Sequence, residues 1–264
     1  MGRRERGAVN PLSPSAHVLS DEAVWDRLHL SPNALGFLKR VYSSGLDRYA
    51  RRLRTLGFAD GAFALDAGCG VGQWAFSLAT ICAEVYGVDV SLERLRACEQ
   101  MAKAWRIPNV HFVTGALEDL PFEDASFDRV LCYSVLYQTH YERSLQELAR
   151  ITRKDGLVYI STNDFGRFLQ HIIERPNPAP DFDPRAYGFA TLRNTLIGRR
   201  RGLSVQAGGV VTRKSRVLRL LAKSGFQVIE AGPEGSLMGG TESFLPRSHF
   251  GLSSSFDVLA RRLS

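Results

Sequence analysis

Lysine is scarce in this chain. Five residues of that type occur (Lys39, Lys103, Lys154, Lys214 and Lys223) among 34 basic ones, so arginine carries most of the positive charge. Cysteine is sparse too. Cys69, Cys82, Cys98 and Cys132 form no CxxC pair and have no histidine at metal-ligand spacing, which excludes a zinc ribbon or a disulfide framework and predicts reduced thiols in a cytoplasmic protein. No apolar run approaches the roughly 20 residues that cross a bilayer. The basic N-terminal stretch with Arg3, Arg4 and Arg6 lacks the apolar centre of a signal peptide. No repeat, low-complexity tract or acidic cluster with metal spacing is present; Asp181 and Asp183 read as solubilising loop acids, and no metal is expected.

What is there fits one α/β domain. The 264 residues are 44% hydrophobic, enough for a full core. Residues 1–20 read as a flexible N-terminal arm and 21–264 as a single domain. Within it, 21–60 is a helical cap, with apolar residues at helical spacing through Leu35, Leu38, Val41, Tyr42, Leu46, Tyr49, Leu53 and Leu56, read as one run over 21–58. From Ala62 the period changes. Strands are expected at 62–67, 84–90, 110–113, 127–132 and 156–162, alternating with helices at 72–81, 91–105 and around 144–152. That alternation implies right-handed βαβ units and a parallel sheet whose strand carboxyl ends share one edge, where ligands bind. Residues 164–212 break the rhythm with Pro176, Pro178, Pro180 and Pro184, followed by an expected helix at 185–197. This insertion is read as a lid over the active face, with a plain surface excursion as the alternative. A helix at 214–223 and strands at 226–231 and 256–261 close the domain.

The strongest local signal is Leu65-Asp66-Ala67-Gly68-Cys69-Gly70-Val71-Gly72. Glycines after a buried strand allow a sharp turn and close approach of a ligand, and a following helix directs free N–H groups at the same place. The dinucleotide fingerprint G-x-G-x-x-G is not met, because Gln73 stands where its third glycine belongs. A carboxylate at Asp66 would repel a pyrophosphate and welcome an ammonium or a sulfonium. Asp89, at the end of the second strand, is placed to accept hydrogen bonds from two ribose hydroxyls, a role compatible with capping the next helix.

Asp66 to Gly72, the acid Asp89, Leu120-Pro121-Phe122 before Ser126-Phe127-Asp128, and Arg150-Ile151 with Asp155-Gly156 resemble, in order and spacing, the motifs of the class I S-adenosylmethionine-dependent methyltransferases. Within them the segment from about Phe63 to Thr162 is most similar to the group that includes ubiquinone and menaquinone biosynthesis enzymes. The resemblance implies a Rossmann-like, seven-stranded, mostly parallel sheet with an antiparallel last strand. It implies S-adenosylmethionine as cofactor, held by Asp66, Gly68, Cys69, Gly70, Gly72, Gln73, Asp89, Val90, Ala116, Leu117, Glu118, Cys132 and Tyr133. The chain departs from the family at Ala116, where an aspartate often meets the adenine amino group, leaving Ala116 and Leu117 backbone groups for that contact. It departs again at Lys154-Asp155-Gly156, which replaces Lys-Pro-Gly and still makes a turn.

The expected function is transfer of a methyl group to a small-molecule acceptor (a secondary metabolite, quinone or sugar), preferably on oxygen. His140, past the fourth strand, is the candidate base because histidine titrates near working pH. His17 and His29 are alternatives if the N-terminal helices cover the site, with His171 and His249 behind them. Tyr133 and Tyr137 are candidates to orient the acceptor. Arg199, Arg200 and Arg201, with Arg213, Lys214, Arg216 and Arg219, form the densest positive region, read either as a solvated face or as a grip on an acidic acceptor. The formal charge of +7 does not by itself point to nucleic acid. Cys132-Tyr133-Ser134-Val135 replaces the Asn-Pro-Pro-Tyr run of many base N-methylating enzymes, which disfavours an RNA or protein methyltransferase. A catalytically silent cofactor-binding scaffold is the other alternative, and Ala116 is the residue that invites it.

Overall fold

The computed structural model describes residues 22–25, 27–59, 62–198 and 208–263. The arm over 1–20, His17 and Arg199 to Arg201 lie outside them. The helical cap is three helices rather than one: α1 (Glu22–Trp25), α2 (Pro32–Tyr42) and α3 (Asp47–Thr55). Pro32 occupies the first turn of α2, where a missing N–H costs nothing. Gly45, at φ +73°, turns the chain between α2 and α3.

Seven strands form the main sheet: β1 (Phe63–Ala67), β2 (Glu84–Asp89), β3 (Val110–Thr114), β4 (Phe127–Tyr133), β5 (Thr152–Asn163), β6 (Phe226–Pro233) and β9 (Ser255–Arg262). Two short strands, β7 (Ser248–His249) and β8 (Leu252–Ser253), make a separate hairpin. The order across the sheet is β3-β2-β1-β4-β5-β9-β6, with β9 antiparallel to both neighbours and the rest parallel. The direction of strand progression reverses between β1 and β4, so the crevice beyond their carboxyl ends is the natural ligand site.

The helices are α4 (Gln73–Ala79), α5 (Leu92–Ala104), α6 (Tyr141–Ile151), α7 (Phe165–Glu174), α8 (Pro184–Leu196) and α9 (Lys214–Lys223). On one face of the sheet, Leu38, Tyr42, Leu53, Trp74, Leu78, Met101 and Trp105 of α2–α5 and the turn after them pack on Leu131, Tyr159 and Leu259. On the other, Leu145, Leu148, Val217 and Leu221 of α6 and α9 pack on Val130, Val158 and Val258. The strands are apolar on both sides, as a doubly covered parallel sheet requires. A third cluster joins Tyr137, just past β4, to Phe168 of α7, Tyr187 of α8 and Val211.

The turn expected at Lys154-Asp155-Gly156 does not interrupt the fifth strand. β5 starts at Thr152, Asp155 takes a left-handed conformation (φ +63°), and the pairing to β4 slips there as a bulge. The insertion carries α7 in addition to the expected α8. Asp183 caps α8 through the N–H of Arg185 (2.9 Å), and Asp181 accepts from the N–H of Asn33 at the start of α2 (2.9 Å). Both acids therefore have structural partners and are more than solubilisers. All four cysteines are buried and none forms a disulfide. Among the described residues, no helix is long and apolar enough to cross a membrane and no group of three or more His, Cys, Asp or Glu could hold a metal ion.

Candidate functional site

Gly68 has φ +81°, and a Cβ there would lie 2.7 Å from the side chain of Val135. Only glycine lets the chain leave β1 and pass beneath the loop after β4. Its N–H and that of Cys69 donate to the carbonyl of Val88 (2.7 and 3.0 Å), which ties the glycine loop to β2. Gly70 is different: it also has positive φ, at +55°, but a Cβ there would meet no protein atom within 4 Å. Its surface faces open space, where a ligand can lie against backbone.

Asp89 spans the loop and the next helix. One carboxylate oxygen accepts from the N–H of Gly70 (3.0 Å) and the other from the N–H of Ser91 (2.9 Å). Ser91, in turn, caps α5. Each carboxylate oxygen has a second acceptor site, so these bonds fix Asp89 without exhausting it. Val90 beside it is 68% exposed, an apolar side chain open at the same edge.

Asp66 is buried, and one of its oxygens, Oδ2, has no hydrogen-bond partner. Burial, with Asp89 as a like charge nearby, pushes its carboxyl up to about 8, partly offset by the backbone N–H of Ala75. Gln73, the first residue of α4, likewise has a buried Oε1 without a partner. The thiols of Cys69, Cys98 and Cys132 are all pushed up by burial and are inert as nucleophiles. Past β3, Leu117 is buried and Ala116 half-buried, in a tight turn closed by pairing of Ala116 with Asp119. Glu118 points elsewhere: its Oε1 accepts from the N–H of His140 (2.7 Å), joining the turn after β3 to the start of α6.

His140 caps α6, its Nδ1 accepting from the N–H of Arg143 at 3.4 Å. A ring that caps this way carries its proton on Nε2, so taking up a further proton at Nδ1 competes with the cap. Tyr133 ends β4 with its ring against Trp74 (4.6 Å between centroids) and its hydroxyl donating to Oε1 of Glu234 (2.8 Å). Tyr137 is buried against Phe168 of α7 and Tyr187 of α8. His29 is exposed and His249 half-buried, bonded to Ser254 Oγ (2.6 Å); His171 is buried on α7 and pushed down to about 3 by burial and Arg167. Arg216 pairs with Glu142 across α6 and α9, while Arg213 and Lys214 stay exposed.

Three groups at this edge escaped the sequence. The first is Glu234, fully buried after β6, which forms an ion pair with Arg52 of α3 and accepts from Tyr133 and from the N–H of Phe244 (3.0 Å). The second is Asp257 of β9, which accepts from the hydroxyl of Tyr159 (2.9 Å) and the N–H of Gly235 (2.7 Å) and is pushed up to about 6 by burial and Glu234. The third is Arg167 in the first turn of α7. The side-chain partners of Glu234 and Asp257 on Arg52, Tyr133 and Tyr159 lie 98 to 182 residues away in sequence and leave no local signal. Phe244 stacks on Tyr49 (4.5 Å, 8° between planes), with the guanidinium groups of Arg48 and Arg52 over its ring at 4.3 and 4.1 Å.

The start of α2 reaches both sides of this edge. The N–H of Ser31 donates to Glu93 in the first turn of α5, and that of Asn33 to Asp181 in the insertion.

Residues 65–160 match the family described as a methyltransferase domain. A demethylmenaquinone methyltransferase of Geobacillus kaustophilus is 36% identical over 109 residues, 40% of this chain and 47% of that protein. The chain thus spans about half the length of the curated relatives it matches. A [4+2]-cyclase shares the fold with a TM-score of 0.57 at 15% identity, over 83% of this chain and 80% of that one. The magnesium protoporphyrin IX methyltransferase of Synechocystis, solved with bound S-adenosylhomocysteine, superposes with a TM-score of 0.54 at 19% identity, over 91% and 94% of the two chains. Together with the motif order and the strand order, the match over 65–160 shows that this segment is similar to the methyltransferase domain and, among its relatives, to the menaquinone group.

Proposed function

We propose that this chain binds S-adenosylmethionine at the carboxyl edge of β1, β2 and β3 and transfers its methyl group to a small-molecule acceptor held under α2, α7 and α8. The observation that carries the proposal is the buried, partnerless oxygen of Asp66 beside the open face of Gly70. A buried carboxylate lacking a partner is costly, and a ligand ammonium supplies one. Gly68, Cys69, Gly70 and Gly72 give the turn its backbone surface, and Gln73 offers its free carbonyl at the same place. Asp89 takes the ribose hydroxyls with its remaining acceptor sites. Val90 covers one face of the adenine, and the turn at Ala116 and Leu117 meets its edge. Glu118 contributes through the position of that turn, while Cys132 and Tyr133 close the methionine side. When bound, the cofactor supplies an electrophilic methyl carbon on its sulfonium.

The residues of the chain contribute position and exclusion of water. Tyr133 is held by Glu234, and Glu234 by Arg52, so the wall facing the acceptor is rigid. For an oxygen acceptor, His140 is the base in this proposal, and proton uptake at its ring would release the cap on α6. His140→Ala then lowers kcat for an oxygen acceptor and leaves cofactor affinity unchanged; an unchanged kcat removes His140 from the chemistry. A cofactor-binding protein with another activity is the second possibility, favoured by Ala116 and by the cyclase that shares this fold.

The test is thermal unfolding with S-adenosylmethionine, S-adenosylhomocysteine and, as control, NAD. A ligand at about 100 times its Kd stabilises by roughly 2.7 kcal/mol, which for a chain of this size raises Tm by roughly 5–10 °C. Both sulfur ligands are expected to shift the wild type, NAD to do nothing, and Asp89→Ala to lose most of the shift. No shift with either sulfur ligand overturns the proposal.

A further inference from the structure

Three side chains on α7 and α8, the half-buried Arg167 and the buried His171 and Tyr187, bury polar atoms without the partners their chemistry asks for. Arg167 makes one hydrogen bond among the described residues, from Nη1 to Oε1 of Gln170 (2.8 Å), and its buried Nε–H has none. A guanidinium carries five donors, and Arg167 has no ion pair with any described carboxylate. The acid that acts on it from the far end of α7, Glu174, is exposed, and its oxygen accepts from Gln170 (2.7 Å). Tyr187, 5% exposed, has a buried hydroxyl that makes no well-formed hydrogen bond and interacts only with the side chains of Tyr137 and Thr191, and His171, 9% exposed, has a partnerless Nδ1. The His171 and Tyr187 rings lie 5.7 Å apart, and Phe168 sits between Tyr137 (5.6 Å) and Tyr187 (6.4 Å). The electrostatic neighbours of Arg167 include the hydroxyls of Tyr137, Tyr133 and Tyr187.

Buried donors of this kind are paired in folded proteins, and a half-buried guanidinium whose inner N–H has no acceptor is a costly exception. Three such groups on adjacent helices, next to the end of β4, have one common remedy: an anion entering from the carboxyl edge of the sheet. His171 is neutral, so it adds no competing charge. The walls around the group are aromatic, which selects a flat partner. We propose that Arg167 with Tyr187 forms the anion-binding end of the acceptor pocket, and that the acceptor is a small aromatic carboxylate. This rests on the methyltransferase proposal for the location of the pocket; the anion site itself does not depend on methyl transfer.

Titration calorimetry of the full chain, with and without saturating S-adenosylhomocysteine, tests it with benzoate and 4-hydroxybenzoate against the neutral isosteres benzamide and 4-hydroxybenzamide. The acids are expected to bind about tenfold or more tightly than the amides, the size of one lost charged hydrogen bond. Arg167→Gln should bring the acids down to the level of the amides, Arg167→Lys should recover part of the preference, and Tyr187→Phe should weaken the acids without abolishing it. Unchanged binding of S-adenosylhomocysteine in each variant shows that the fold is intact. Equal affinity for acid and amide, an Arg167→Gln protein that still prefers the acid, or no saturable binding of either acid overturns the inference. If S-adenosylhomocysteine does not bind but the Arg167-dependent preference persists, the cofactor assignment fails and the anion site stands. If the cofactor product binds and the preference is absent, the reverse holds.

Discussion

Replacing Asp66 with Asn should change how cofactor binding depends on pH, and the structure sets the size of the effect. The carboxyl of Asp66 is pushed up to about 8 by burial and by Asp89, so in the free protein at pH 7 about nine-tenths of the molecules carry a proton there. A ligand ammonium against the unpaired oxygen favours the carboxylate. If the bound group returns to the ordinary range of about 4–5, binding at pH 7 releases about 0.9 proton and affinity rises roughly 50-fold between pH 6 and pH 8. The assay is calorimetric titration with S-adenosylhomocysteine at pH 6, 7 and 8 in buffers of different ionisation enthalpy. Asp66→Asn serves as control, because its remaining proton exchange belongs to the ligand amine. Stability of the free protein should move the opposite way. The folded carboxyl lies above its unfolded value, so its contribution is fully present below about pH 4 and is lost as pH rises through about 8. An affinity flat from pH 6 to 8, together with wild-type binding by Asp66→Asn, refutes the reasoning that Asp66 faces the ammonium.

Three further outcomes are expected. Gly68→Ala must hold a left-handed φ of +81° and press on Val135, a cost of about 2–4 kcal/mol readable as a lowered urea midpoint; an unchanged midpoint means the loop is free to move. Arg52→Met leaves the buried carboxylate of Glu234 without its ion pair and should destabilise by about 3–5 kcal/mol, whereas pairing it with Glu234→Leu should recover much of that; additive losses in the double variant would show that the pair is not coupled. Asp257, pushed up to about 6, favours the folded state most below about pH 4, and that contribution is lost as pH rises to about 6. Asp257→Asn should therefore remove up to about 3 kcal/mol of pH dependence across that window, and a titration of stability parallel to the wild type would count against it.

Periodicity and turn chemistry carried most of the fold. The glycine loop, the acid after β2 and the alternation of strand and helix were all readable locally, since each depends on neighbours within about 20 residues. The errors had local causes as well. The continuous apolar spacing over 21–58 hid two breaks that Pro32 and Gly45 mark, and Asp155-Gly156 looked like a boundary although the strand absorbs it as a bulge. Helix α7 has a local signal of its own, with Asp164 as cap before Phe165, Phe168, Leu169 and Ile172. The candidate site was legible only on its cofactor side. Glu118 is engaged by His140, and Tyr133 by Glu234, because tertiary contacts decide where a side chain points. Arg167, Glu234 and Asp257 had no pattern to announce them; Glu234 and Asp257 take partners from other elements of the fold, and Arg167 bonds only Gln170 among the described residues.

The position of β9 has a consequence for how the protein is made. It lies between β5 and β6, bonded to both, yet its residues are 255–262. Until residues 255–262 are made, β5 and β6 have facing edges with no strand between them, and their backbone groups on those edges are unpaired. Open edges of this kind invite pairing with other chains. Pairing of β5 and β6 into one sheet therefore requires residues 255–262, and a chain that lacks them leaves both edges open to chaperones and to aggregation.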